Sequence, residues 1–248
     1  TCRLAVLGDD EPAAARRAAA TAAGARLAAP AESDGVVAVG DAALRSAVRA
    51  VGRADAPPVP ILPVGDGRHS VPLDAASDRL DDVVAGLGGS DAAVSGFSRV
   101  AHPVLAVDGA TDGGRRFAAA DVAFVTAAPA RISEYEIAFA DGESASVRAD
   151  GAVIATPLGS DGYAAAAGGP VVSPGGGLAV VPVAPFTTRP DTWVATGGVR
   201  VTIEREEEPV ALVVDGTRRG TVEPHRTVRI EVAATVELLS PARRSETL

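Results

Sequence analysis

The stretch DGAVIATPLGSDGYAAAAGGP, residues 150–170, reads as a strand, a turn and a short helix. Ala152 to Thr156 is a compact apolar run with β-branched residues at its centre, bounded by Asp150-Gly151 before it and Pro157 after it, the pattern of a buried strand. Pro157 to Ser160 makes the turn, and the alanines after Tyr163 favour helix because alanine loses no side-chain entropy there. A helix beginning after Gly159 presents unpaired backbone N–H groups, and Thr156 and Ser160 add hydroxyls, so an anionic or polyhydroxyl ligand fits such a turn. A tight strand-to-helix connection built from small residues for packing gives the same letters.

Downstream of this stretch the chain is mostly extended. Apolar or alternating runs occur at Leu178 to Pro182, Val199 to Glu204, Val210 to Val214, Val228 to Val232 and Thr235 to Leu239. The charged run Glu204 to Glu208 reads as a solvated hairpin tip, and Trp193 as core. Upstream, Val100 to Asp108, Asp121 to Ala127, Ile132 to Phe139 and Ser144 to Arg148 are also extended, with Asp141-Gly142 as a turn.

Before about Ser95 the pattern changes to strand alternating with helix. Arg3 to Gly8, Gly35 to Val39 and Val59 to Val64 are strand-like, while Glu11 to Leu27, Ala42 to Val51 and Ala75 to Leu87 carry helical spacing. That alternation implies a parallel sheet with helices on its faces. The expected organisation is an α/β Rossmann-like domain over residues 1–94 followed by a β-rich sandwich domain over 95–248.

Composition narrows the function classes. The 248 residues carry a formal net charge of -9; all 23 basic residues are arginine, and lysine, asparagine, glutamine and methionine are absent. A GC-rich genome produces that bias, and an acidic surface without lysine suits solubility at high salt, so a halophilic source is expected. The acidity argues against nonspecific nucleic-acid binding. No segment reaches the roughly 20 uncharged apolar residues of a membrane span, and no signal-peptide pattern opens the chain, so a cytoplasmic protein is expected. Cys2 is the only cysteine, which leaves no disulfide framework and no thiolate metal cluster. His69, His102 and His225 lack metal-ligand spacing and receive no role.

The 150–170 stretch resembles the signature of the NAD kinase family, in which a DG pair precedes TPTGSTAY and an AGGP segment. Thr156, Pro157, Gly159, Ser160, Tyr163, Ala167, Gly168, Gly169 and Pro170 match it in order, and VPVAPFTTRP at 181–190 resembles the family's second run, approximately TPICPHSLTxRP. The resemblance covers roughly Gly35 to Leu239. It implies a Rossmann-like N-terminal domain, a C-terminal β-sandwich, a nucleotide site in the cleft between them, and a homodimer or homotetramer. The implied activity is transfer of the terminal phosphate of ATP, or of polyphosphate, to the adenosine ribose 2′-hydroxyl of NAD, with Mg²⁺ as the divalent cation.

Gly40 and Asp41 stand where the family has its GGDG loop, with Val39 and Ala42 in place of two glycines. The resemblance makes Asp41 the catalytic carboxylate, as base or metal organiser, which fits phosphoryl transfer; the plainer reading is that it initiates the helix from Ala42. It also implies NAD contacts from Gly40, Asp150, Thr156, Gly159, Ser160, Asp161 and Tyr163. Asp150 with Gly151 reads equally as a β-turn, and Tyr163 equally as a stacking or a packing residue. Asp161 replaces a family threonine, where it can accept from a ribose hydroxyl or repel a phosphate. Val125 and Thr126 stand where the family has an Asn-Glu or Asn-Asp pair. Without lysine, phosphates are left to Mg²⁺, backbone N–H groups and arginine, with Arg68 as the candidate in the Gly65-to-Ser70 loop and Arg189 as another. The alternative is a relative that kept the fold and lost catalysis, serving as a nucleotide-binding or regulatory protein.

Overall fold

A strand that is apolar at every position needs cover on both faces, and Gly35–Val39 is buried throughout. It sits inside the first of two compact units in the computed structural model, which describes residues 2–53, 59–88, 94–126, 132–205 and 210–242. In chain order the elements are β1 (Arg3–Leu7), α1 (Glu11–Ala22), β2 (Arg26–Leu27), a 3₁₀ turn (Pro30–Glu32), β3 (Gly35–Val39), α2 (Asp41–Arg53), β4 (Ile61–Val64) and α3 (Ala76–Gly88). There follow β5 (Phe97–Asp108), β6 (Arg116–Ala118), β7 (Asp121–Val125), β8 (Ser133–Phe139), β9 (Ser144–Ala155), α4 (Tyr163–Ala166), β10 (Leu178–Pro185), β11 (Trp193–Ala195), β12 (Val199–Arg205), β13 (Val210–Val214), β14 (Thr217–Val222) and β15 (Thr227–Pro241).

The first unit consists of the described residues of Thr1–Ala101 and Thr235–Leu248. Its strands run parallel in the order β2-β1-β3-β4, with Leu4 opposite Gly35 and Val36 opposite Ile61. The end of β15 joins them, Leu238 pairing in parallel with Ile61. Leu4, Val37, Leu62, Leu80, Val83 and Leu239 share the core.

Local chemistry sets the helix ends. Asp10 caps α1 by accepting from the Ala13 amide at 3.0 Å, and Pro12 fits the first turn, where a missing N–H costs nothing. The sequence pattern carries this helix to Leu27, but it stops at Ala22. Gly24 donates to the Thr21 carbonyl and Ala25 to that of Ala20, a Schellman closure that frees Arg26 and Leu27 to pair with β1.

The second unit is His102–Ala234. The sequence reading divides the chain after residue 94 and leaves everything beyond in one domain; by compactness the division falls after Ala101, and the chain returns to the first unit at Thr235. Within His102–Ala234 the strands are antiparallel: β14-β13-β7-β9-β8-β12 lie in order, Val199 to Thr202 of β12 pair with Thr227 to Ile230 of β15, and β10 lies against β9 and β11. Leu105, Phe124, Tyr135, Ile137, Ile154, Leu212 and Ile230 form its main core, and half-buried Trp193 packs on it beside Phe139, their ring centroids 5.8 Å apart.

Two expected breaks are absent. Asp150-Gly151 is the middle of β9, not a β-turn: Gly151 pairs with Val125 on one side and Val183 on the other. A Cβ at Gly151 would lie 2.4 Å from the Phe124 carbonyl oxygen, so the glycine is there for close strand approach. Val228 to Val232 and Thr235 to Leu239 are likewise one strand, β15. Most of the Glu204-to-Glu208 run lies outside the described residues. No described helix is long and apolar enough to cross a membrane.

Candidate functional site

In the second unit the 156–163 turn is pinned from below by its own hydroxyls. Thr156 is fully buried; its amide donates to the Ala120 carbonyl at 2.8 Å, and its Oγ1 lies 2.8 Å from the Ala119 carbonyl and 3.0 Å from that of Ala120. Ser160 is equally buried, donating to the Pro157 carbonyl at 3.0 Å and accepting from the Val172 amide at 2.9 Å. These two hydroxyls are spent on backbone, so as placed they fix the turn instead of facing a ligand. Gly159 lies directly on the bend between β6 and β7, where a Cβ would meet the Ala120 carbonyl oxygen at 2.3 Å.

The exposed crest of the turn is Asp161, Gly162 and Tyr163. The backbone N–H groups of Asp161 and Tyr163 have no hydrogen-bond partner among the described residues. Tyr163 is 42% exposed. The expected helix after Gly159 is only the single turn α4, and it begins after Gly162, because the Gly162 amide closes back on the Gly159 carbonyl at 3.2 Å. A helix this short has little macrodipole, so an anion would be bound by individual amides. Asp150 is exposed on β9, its carbonyl accepting from the Thr126 amide at 2.9 Å. The Thr126 hydroxyl is 2.7 Å from Ser133 Oγ and 3.4 Å from Tyr135 Oη, so it too is engaged within the protein.

In the first unit, Gly40 has φ +83, which a glycine takes without strain, and its carbonyl accepts from Leu44 at 3.0 Å. Gly40 therefore occupies the cap position, and Asp41 is the first residue of α2, where the macrodipole favours a carboxylate. Asp41 is exposed, and its carboxylate bonds to no described residue. The Gly65-to-Ser70 loop comes alongside: the Gly40 amide donates to Val64 at 2.8 Å, and a Cβ at Gly65 would lie 3.9 Å from Gly40 Cα. Arg68 is exposed in that loop. The structure thus gathers Gly40, Asp41 and the Arg68 loop at the carboxyl ends of β3 and β4, and gathers Thr156, Gly159, Ser160, Asp161 and Tyr163 in one turn of the second unit.

Two residues without an assigned role prove central. Asp215, between β13 and β14, is buried and places its carboxylate on the amides of Ala119, Ala120 and Asp121. Buried His102 puts Nε2 2.9 Å from the Ala119 carbonyl, and since a carbonyl only accepts, Nε2 carries the proton there. Asp215-Gly216 reads in sequence as an ordinary hairpin turn, and nothing in it marks the carboxylate.

No group of three or more His, Cys, Asp or Glu among the described residues is arranged to hold a metal ion. Exposed Asp41, the first residue of α2, is a single carboxylate of the kind a hard divalent cation takes as a ligand. A cleft of about 400 Å³ elsewhere in the second unit is lined by Phe139, Asp141, Glu143, Trp193 and Thr196, and shares no residue with the turn.

Residues 120–239 match the model of the ATP-NAD kinase C-terminal domain family. A protein of Methanosarcina acetivorans named NAD kinase is 34% identical over 114 residues, which are 45% of this chain and 42% of that protein, so the chain spans less than half the length of this relative. A solved NAD kinase from Archaeoglobus fulgidus in complex with ATP superposes with a TM-score of 0.73 at 22% identity, over 99% of this chain and 96% of that one. Yeast NADH kinase complexed with NADH gives 0.69 at 20% identity, over 88% and 66%. The chain has the NAD kinase fold, with a β-rich C-terminal domain.

Proposed function

We propose that the chain is an NAD kinase, transferring the terminal phosphate of ATP, or of polyphosphate, to the adenosine ribose 2′-hydroxyl of NAD. The observation that carries the reading is the family match over residues 120–239, which contains the pinned turn with its exposed crest at Asp161 and Tyr163. In this reading Asp41 accepts the proton of the 2′-hydroxyl as its oxygen attacks the terminal phosphorus; the new O–P bond forms while the bond to the leaving phosphate breaks, releasing ADP or shortened polyphosphate. Magnesium would be carried largely on the donor's phosphates beside Asp41 and would neutralise their charge. The free amides of the crest and Arg68 supply the protein's own donors, and Asp161 accepts from a ribose hydroxyl. Asp150, Gly40 and Tyr163 complete the dinucleotide contacts, while Thr156, Gly159 and Ser160 act by holding the turn. The net charge of -9 without a lysine supports a halophilic source, in which the enzyme would be cytoplasmic, and the family resemblance supports a homodimer or homotetramer.

The test is NADP formation by the purified protein with NAD, ATP or polyphosphate, and Mg²⁺, from low to high salt, beside Asp41→Ala. Turnover that vanishes in the variant, with thermal stability within about 1 kcal/mol of wild type as expected for one exposed helix-terminal charge, supports the reading. Folded wild-type protein that makes no NADP at any salt with either donor refutes it and leaves the binding-only relative.

A further inference from the structure

The corner between β6 and β7 is built from an uninterrupted set of bonds to one short segment, Ala119 to Asp121. On its amide side, Asp215 Oδ1 accepts from Ala119 at 3.0 Å, Ala120 at 2.7 Å and Asp121 at 3.3 Å, and Oδ2 accepts from Ala119 at 3.1 Å. The Asp215 amide donates to the Asp121 carbonyl at 3.0 Å. On its carbonyl side, Ala119 accepts from Thr156 Oγ1 and His102 Nε2, and Ala120 accepts from the Thr156 amide and hydroxyl. Gly159 then rests on the backbone of Ala120.

Three successive amides converging on one point are not a strand-pairing pattern. They need a concentrated acceptor, and a buried carboxylate is the strongest the chain has. Bonds on the two sides of the same peptide groups reinforce each other, since an amide polarised by a carboxylate makes its carbonyl partner a different acceptor. Asp215 also holds φ +49, a left-handed conformation that aspartate, asparagine and glycine adopt more readily than other residues. The segment that sets the height of the 156–163 turn is therefore placed by a residue 94 to 96 positions downstream of it in sequence.

We infer that Asp215 is a positioning residue for the nucleotide-binding turn: by fixing Ala119 to Asp121 it sets where Asp161, Gly162 and Tyr163 meet the dinucleotide. This rests on the NAD kinase reading. Asp215 touches no substrate; it acts through Ala119, Ala120 and Thr156.

Two variants separate positioning from simple stability. Asp215→Gly keeps the backbone conformation and removes the carboxylate; Asp215→Asn keeps the conformation and the Oδ1 that makes three of the four contacts, losing the charge and the Oδ2 contact. With NAD, ATP and Mg²⁺, at a temperature where each protein is fully folded by circular dichroism, the KM for NAD is expected to rise about tenfold or more in Asp215→Gly and about two- to fivefold in Asp215→Asn. Wild-type KM and kcat in both variants, with only the melting temperature lowered, overturn positioning while leaving the kinase reading intact. If Asp215→Gly does not fold, the decision falls to Asp215→Asn, whose unchanged KM overturns the inference and whose raised KM supports it. Folded wild-type protein without NADP formation overturns the kinase reading and this inference together.

Discussion

Adding one methyl group at Gly159 is expected to displace the whole turn. An ideal Cβ there lies 2.3 Å from the Ala120 carbonyl oxygen, 2.6 Å from its carbon and 3.0 Å from Ala120 Cα, and all three are backbone atoms with no rotamer to give. Relaxed C···O contacts begin near 3.3 Å, so in Gly159→Ala the turn must withdraw by about 1 Å. Withdrawal acts directly on the bonds from Thr156 to Ala120, now 2.8 Å and 3.0 Å, and lengthens them past useful geometry. Overpacking of this kind costs about 1–3 kcal/mol, and weakening a buried hydrogen bond adds about 1 kcal/mol. A total near 3 kcal/mol lowers the melting temperature by about 6–12 °C in a chain of this size. Gly168→Ala is the control: nothing lies within 4 Å of its added methyl, but φ is +90, so only backbone strain of about 1–2 kcal/mol applies. Calorimetric scans of both variants decide the matter. A Gly159→Ala protein that melts with wild type, or no lower than Gly168→Ala, refutes the close packing of the turn on Ala120.

Replacing Thr156 by valine removes a buried hydroxyl that serves two carbonyls and should cost about 1–2 kcal/mol in urea unfolding, whereas Thr156→Ser should stay close to wild type; equal losses in the two would show that the methyl, not the hydroxyl, matters. The hydrogen bond from the Arg3 guanidinium, with its charge, holds the Asp34 carboxyl below the ordinary carboxylate range. Because the folded value is the lower one, the pair's stabilisation is present above about pH 4 and lost as the pH falls through that lower value. The stability gap between wild type and Asp34→Asn should therefore close on acidification, and a gap constant from pH 7 to pH 2 would contradict the assignment. Burial, then the nearby Asp34 charge, raises the Cys2 thiol. Its labelling by a thiol reagent at pH 8 should consequently be slow in folded protein and fast in denaturant, and equal rates would be the contrary result.

The parts of the fold visible in the letters are those where one face, or both, is uniformly apolar. β3 and β13 are read to the residue because every position of β3 and all but Val213 of β13 are buried, and α2 and α3 to within one or two residues from their apolar spacing. β14 escaped because Thr217 to Val222 is an edge strand carrying Arg218, Arg219 and a glycine, with only Val222 buried. The letters divide β9 in two because Asp150-Gly151 has the composition of a turn, while the reason for its glycine is the carbonyl of a strand more than twenty residues away. The site divides in the same way. The 156–163 turn can be located from its residues, but the use of Thr156 and Ser160 depends on backbone acceptors at Ala119, Ala120 and Pro157, which have no side-chain signature. Asp215 was hidden for the converse reason: its partners are three amides, and any residue would supply those.

The route of β15 bears on how the protein is made. Leu238 and Leu239 complete the parallel sheet and core of the first unit, yet they leave the ribosome after all of the second. The usual order, in which the N-terminal domain folds first and shelters nothing further, is therefore unavailable to this chain. Ile61 must wait at an open sheet edge while more than a hundred residues are synthesised and folded, roughly 10 s at typical elongation rates. During that interval the nascent first unit is a template for a wrong strand, and its chaperone demand lasts until Leu238 and Leu239 have been made.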